Sequence, residues 1–285
     1  MSKQTLQDQY TKAGQINARF WSLGDEGTTV ILLHGIGASV EIWKRNIDAL
    51  AQNHRVYAID LVGFGLSDKP SVPTTFSYGA QFVRDFMEKQ HIGRASLIGN
   101  SLGGGVSLQF AIQFADRLEK LLLVASGGLG KQVNLLLRLA SLPLIGELLT
   151  RPTRKGTSRL LKQCTYDPAL AADDLVELFY HFATLPGAQK SFLSTLRSSF
   201  NFWGMRPHLV RSTLDNLATI SAPTLIVWGE QDRILPVAHA HVAEKKIPNA
   251  RLHIFDACGH LPQLERPDEF NAVVLEFLRS KDRCR

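Results

Sequence analysis

The chain has 285 residues, 45% of them hydrophobic and 20% charged, with a formal net charge of +6. That length and balance fit one large globular domain, or a core carrying an insertion. No run of about 18 apolar residues occurs and the N-terminus, Met1-Ser2-Lys3-Gln4-Thr5-Leu6-Gln7-Asp8, is polar, which argues against a membrane span and a secretory leader.

Three cysteines, Cys164, Cys258 and Cys284, form no C-x-x-C pair and leave one over. This is the usage of a reducing compartment, so the expected location is cytoplasmic. No phosphate loop, dinucleotide fingerprint, metal-ligand cluster or nucleic-acid-binding motif is present, and neither a cofactor nor a nucleic-acid partner is expected.

In chain order, residues 10–13 and 16–21 flank Gly14-Gln15 and read as a hairpin. Strand-length apolar runs then recur: Val30-Ile31-Leu32-Leu33, Val56-Tyr57-Ala58-Ile59, Leu97-Ile98, Leu121-Leu122-Leu123-Val124, Thr224-Leu225-Ile226-Val227-Trp228 and Leu252-His253-Ile254-Phe255. Their continuous rather than alternating character predicts a mostly parallel sheet with helices on both faces. Pro267 can open a last helix that places Phe270, Val273, Val274, Phe277 and Leu278 on one side.

The strand rhythm stops for about a hundred residues after Val124, far more than a connection needs. Leu-rich residues 133–149, the stretch 169–180 after Pro168, and residues 192–196 are helical in character. Residues 129–214 are therefore read as a helical cap inserted into a core made of residues 1–128 and 215–285. Residues 131–163 hold seven basic side chains against the one acid Glu147, which accounts for the whole net charge. The first reading of this stretch is a helical hairpin with a buried apolar face and a solvated basic face. The second is peripheral contact with an anionic membrane.

Ser101 lies in Gly99-Asn100-Ser101-Leu102-Gly103, between an apolar strand and a glycine-rich helix start. A turn this tight strains the serine backbone and needs small residues two positions either side, which Gly99 and Gly103 supply. The free amides of the helix start would face an oxyanion formed at the serine. A serine nucleophile requires a base and an acid to orient it. His260 follows the last strand and Asp232 the one before. Glu230, nearer its strand end, and Asp256, on the His260 loop itself, compete with Asp232, which is favoured. His34 and Asp60 read as residues that hold loops, and His239 and His241, two apart in a helix, make a poor metal pair.

The order Ser101, Asp232, His260, together with His34-Gly35-Ile36-Gly37, Asp60 to Asp68, Gly229-Glu230-Gln231-Asp232-Arg233 and Gly259 to Pro267, closely resembles the α/β-hydrolase family. Some relatives take the acid from the strand after the nucleophile helix, but here that strand ends in Val124-Ala125-Ser126. The resemblance implies an α/β-hydrolase fold and an oxyanion hole formed by the backbone amides of Ile36, with Gly37 as the neighbouring possibility, and Leu102. A serine at the elbow disfavours the dehalogenase and epoxide hydrolase members, which use aspartate.

The leading expectation is hydrolysis of a small-molecule, lipid-like carboxylic ester through an acyl-serine. Its apolar acyl chain would be accommodated by the cap and by Phe200-Asn201-Phe202-Trp203, a stretch that a buried aromatic cluster also explains. The alternative is carbon–carbon hydrolysis of ring-cleavage diketones, which Gly99-Asn100-Ser101 and residues 252–260 resemble. Those enzymes usually follow the histidine with tryptophan, where this chain has Leu261, and hold the substrate carboxylate with a cap arginine that is not assignable here. A non-catalytic ligand-binding member of the fold is the third reading.

Overall fold

The structure is a computed structural model and describes residues 6–280; Cys284 and the first five residues of the polar N-terminus lie outside it. Its centre is an eight-stranded sheet formed by β1 (Gln9–Ala13), β2 (Ile16–Leu23), β3 (Thr28–Leu33), β4 (His54–Ile59), β5 (Ala95–Asn100), β6 (Leu118–Val124), β9 (Thr224–Gly229) and β10 (Ala250–Phe255). A separate antiparallel pair, β7 (Phe200–Asn201) and β8 (Gly204–Met205), lies between β6 and β9. The sheet order is β1-β2-β4-β3-β5-β6-β9-β10. β1 and β2 form the expected hairpin, and the six strands from β4 to β10 in that order run parallel.

Both faces of the sheet are covered, which is why its strands read as unbroken apolar runs. In β3, Val30 and Leu32 point into a core with Trp43, Phe270 and Phe277, whereas Ile31 and Leu33 join Phe82, Phe86 and Phe110 on the other side. The last helix, Pro267–Arg279, starts at the proline and buries Phe270, Val274, Phe277 and Leu278. Because the parallel strands share one direction, the residues after β3, β5, β9 and β10 all emerge at a single edge.

Between Val124 and Thr224 the chain forms the helices Leu135–Ala140, Ile145–Leu149, Arg154–Cys164, Asp173–Thr184, Ala188–Ser199 and Pro207–Leu214. The stretch 169–180 is helical in two pieces: the Asp167 carboxylate accepts from the Ala169 amide at 2.9 Å and closes a 3-10 turn, Pro168–Leu170, and the α-helix begins at Asp173. One expectation is corrected here. The Leu-rich stretch breaks at Pro143 and Leu144, the latter at φ +66°, and its apolar side is only partly buried. Leu137 and Ala140 face inward, while Leu135, Leu144, Ile145, Leu148 and Leu149 are exposed. Helices of so few residues have one inner side, and no further layer of the described residues covers the outer one. No helix of the described residues is long and apolar enough to cross a membrane.

Candidate active site

Ser101 sits between β5 and the helix Leu102–Gln113 at φ +55°, ψ −110°, a conformation that costs a serine about 1–3 kcal/mol. Three backbone bonds hold it there. The Ser101 amide donates to the Val124 carbonyl at 2.9 Å, and its own carbonyl accepts from the amides of Gly105 at 3.1 Å and Gly127 at 2.9 Å. The two flanking glycines are demanded by close approach. A Cβ on Gly99 would lie 2.2 Å from the Gly103 carbonyl oxygen, and one on Gly103 would lie 2.3 Å from that of Leu33.

Across the edge, His260 Nδ1 and Asp232 Oδ2 are 2.7 Å apart, both side chains buried. The other Asp232 oxygen accepts from the Ile234 amide at 2.7 Å and the Leu235 amide at 3.0 Å. A carboxylate oxygen accepts, so this contact fits the His260 tautomer with its proton on Nδ1, which leaves Nε2 able to accept one. Neither rival acid reaches the imidazole: Glu230 is exposed, and Asp256 Oδ1 is engaged by Gln231 Nε2 at 2.9 Å and the Ala257 amide at 2.8 Å.

Ser101 and His260 line one chamber of about 90 Å3 with Ile36 and Leu102. Among the described residues the Ser101 hydroxyl has no hydrogen-bond partner, so the serine–histidine bond of a proton relay is open in this state; such bonds often tighten only when substrate arrives. The amides of Ile36 and Leu102 likewise donate to no described atom, whereas the neighbouring Gly103 amide is engaged by the His34 carbonyl at 3.1 Å. The pair is thus free to receive an oxyanion.

The turn that carries Ile36 is held from below by His34. Its Nε2 accepts from the Leu61 amide at 2.9 Å, which places the ring proton on Nδ1, 2.7 Å from the Gly35 carbonyl. Burial pushes the His34 pKa down to about 4. Asp60, pushed up to about 6 by burial, accepts from the Val40 and Leu66 amides, each at 2.8 Å, and from Arg19 at 3.1 Å.

Between pH 6.5 and 4 the unfolded chain protonates His34 and the folded chain does not, so this contribution to stability is complete above pH 6.5 and declines as the pH falls toward 4. Asp60 acts with the opposite sign over part of that window, and the comparison therefore needs a variant. Urea unfolding at pH 7.5 and pH 5 should show the wild type losing about 2 kcal/mol more than His34→Asn. Equal losses would refute the buried neutral imidazole.

Three contacts at the site carried no clear sequence signal. Asn100 Nδ2 donates to the carbonyls of Val124 and His260, each at 3.2 Å, tying the elbow to the histidine loop. The Glu265 carboxylate accepts from the amides of Gly259 at 3.0 Å, Leu261 at 3.1 Å and Tyr166 at 2.7 Å, cradling His260 from both sides. The His260 amide donates to the Cys164 carbonyl at 2.7 Å, so the end of the helix Arg154–Cys164 is stitched to the base. The one hint was an acidic residue inside Gly259 to Pro267, close enough to fold back on its own loop. Burial, with Asp232 and Glu265 nearby, pushes the Cys164 thiol up to about 12, so it competes with Ser101 for no electrophile.

The rest of the chamber is mostly apolar, with Thr157 and Ser199 its polar members. Leu137, Leu160, Leu161, Phe179, Phe192 and Phe200 enclose it from the helices after β6, and no Lys, Arg, Asp or Glu is among its lining residues. Of the aromatic stretch, Phe200 alone lines the chamber, whereas Phe202 and Trp203 are exposed because the β7–β8 turn carries them outward. A second cavity of about 230 Å3 adjoins the first and shares Leu137, Phe179 and Phe192 with it. His239 is buried and His241 exposed, on different sides of their helix.

Residues 30–273 match the model of a family described as the alpha/beta hydrolase family. A 2-hydroxy-6-oxo-6-phenylhexa-2,4-dienoate hydrolase of Comamonas testosteroni is 33% identical over 263 residues, 90% of this chain and 89% of that protein. A meta-cleavage product hydrolase from Pseudomonas fluorescens superimposes with a TM-score of 0.81 at 28% identity, covering 95% of this chain and 96% of the other. A provisionally assigned lipase from Acinetobacter baumannii also gives 0.81, at 27% identity, with 96% and 91% covered.

Proposed function

The chain belongs to the alpha/beta hydrolase family, and from that premise we propose that it hydrolyses carboxylic esters with apolar acyl chains through an acyl-serine intermediate. Ser101 Oγ attacks the ester carbonyl as His260 Nε2 takes its proton, and Asp232 stabilises the imidazolium. The Ile36 and Leu102 amides receive the oxyanion. His260 returns the proton to the leaving alkoxide, and water, activated by the same imidazole, releases the acid and frees the serine. Residues 129–214 act as the cap over this chemistry, residues 1–128 and 215–285 as the core, and no cofactor enters any step.

The observation that carries the ester reading is the charge-free, mostly apolar lining around Ser101. Carbon–carbon hydrolysis is the second reading, favoured by the names of the relatives. The Comamonas testosteroni name denotes a dienoate, which is a carboxylate, and an anion drawn into an apolar chamber needs a cation to replace its water. The lining of the chamber beside Ser101 supplies none, and the nearest cations, Lys69, Arg151 and Arg159, line the adjoining cavity; Leu261 stands where the diketone hydrolases usually have tryptophan.

A series of p-nitrophenyl esters decides between them. Each added methylene should raise kcat/KM about threefold to fourfold until the chamber is filled, the gain from burying one CH2. Cleavage of a ring-fission diketone with no ester turned over would transfer the function to carbon–carbon hydrolysis. Tight binding of both classes with turnover of neither would make the chain a ligand-binding member of the fold.

A further inference from the structure

We infer that the face formed by the helices Leu135–Ala140 and Ile145–Leu149 and the β7–β8 turn docks on an anionic lipid bilayer, with the mouth of the cavity next to Ser101's chamber against the membrane surface. The inference holds whichever bond the serine cleaves.

The exposed side chains are large and apolar. Leu144 is 83% exposed, Leu148 75%, Trp203 69% and Leu135 55%. Single apolar residues on a surface are ordinary, but a connected set rimmed by charge marks an interaction site. The elements that carry these side chains are neighbours. Arg138 lies over the Phe202 ring at 5.4 Å and donates to the Phe202 carbonyl at 2.6 Å, which joins the first helix to the turn. Phe202 packs against Trp203 at 5.3 Å between ring centroids. On its other side the chain continues through Leu142 and Pro143 into the second helix, where Leu144 is held at φ +66° with its side chain in water. A leucine in the left-handed region is uncommon, and here it presents the most exposed apolar side chain of the set.

The same stretch is basic. Lys131, Arg151, Lys155, Arg159 and Lys162 are exposed, and Glu147, the lone acid of residues 131–163, is held by Arg197 at 2.8 Å. Arg154 is paired with Glu177 and is not counted. Aliphatic residues and a tryptophan together with exposed lysine and arginine of the same stretch match the interface of an anionic bilayer, where the apolar groups enter the acyl boundary and the cations meet headgroups. A second copy of the chain fits less well, since a symmetric contact would bring two basic stretches together.

The face is also continuous with the site. Leu149, Arg151, Arg159 and Leu160 line the second cavity, which shares Leu137, Phe179 and Phe192 with the chamber of Ser101. An amphiphile leaving the bilayer would thus pass from lipid to an apolar cavity under basic side chains.

Sedimentation of the Ser101→Ala chain, which turns nothing over, with vesicles tests this. It should pellet with phosphatidylcholine vesicles containing phosphatidylglycerol, be released by raised salt, and pellet little with phosphatidylcholine alone. The triple change Arg151→Gln, Lys155→Gln, Arg159→Gln should weaken partitioning about 100-fold, near fivefold per cation. Leu144→Ser with Leu148→Ser should weaken it at least about tenfold. Unchanged melting temperatures in both variants separate lost docking from lost folding. Absence of binding to either vesicle, equal binding to both, or equal binding by the variants would overturn the inference. So would a dimer of the parent chain that the double leucine change dissolves.

Discussion

Replacing Ser101 with alanine should lower kcat for the proposed ester hydrolysis about 10^5-fold and abolish labelling by a fluorophosphonate, while the melting temperature stays within about 2 °C. The loss corresponds to about 7 kcal/mol of transition-state stabilisation, because the free oxyanion amides and the chamber remain but nothing is left to form the acyl-enzyme. Stability should hardly move. The Ser101 hydroxyl has no hydrogen bond to lose among the described residues, and alanine meets the same backbone strain at φ +55°, held by the same Val124, Gly105 and Gly127 contacts. Kinetics and a melting curve on one preparation suffice. Retained turnover, or an adduct on another residue, would remove Ser101 from the chemistry.

Much of this site was readable from sequence because the fold puts chemistry where its strands stop. Runs such as Leu121 to Val124 and Thr224 to Trp228 are continuous because both faces of the sheet are buried, and the residues after them share one edge. Asp232, Glu230 and Asp256 were all placed near His260 by that logic, with Asp232 favoured, and the fold separates them by distance. The choice depends on a 2.7 Å contact set by how the Asp232 loop turns onto the Ile234 and Leu235 amides.

What sequence did not disclose has a common physical cause. Asn100, Glu265 and the Cys164 carbonyl act through backbone groups, which carry no side-chain signature; Asn100 and its partner His260 are 160 positions apart. The inserted helices were legible as helical but not in their limits, since an Asp167 turn and a left-handed Leu144 break the apolar period. Nor does hydrophobic patterning say which way a leucine faces. Leu137 and Leu148 look alike in the sequence, and one lines the chamber while the other meets solvent.

Changing Asp232 to asparagine should lower kcat about 10^4-fold with the fold intact, for a reason written in the hydrogen bonds around that side chain. The Ile234 and Leu235 amides donate to Oδ1, so an asparagine must keep its carbonyl oxygen there. Its NH2 then faces His260 Nδ1 and donates to it, which moves the ring proton to Nε2, the atom that has to accept from Ser101. The imidazole remains in place in the wrong tautomer. Asp232→Ala should lower kcat at least as much but should also lower the melting temperature, because it leaves two loop amides without their acceptor. An asparagine variant within tenfold of wild type, or one as unstable as the alanine variant, would mean that Asp232 holds its loop and does not set the proton on His260.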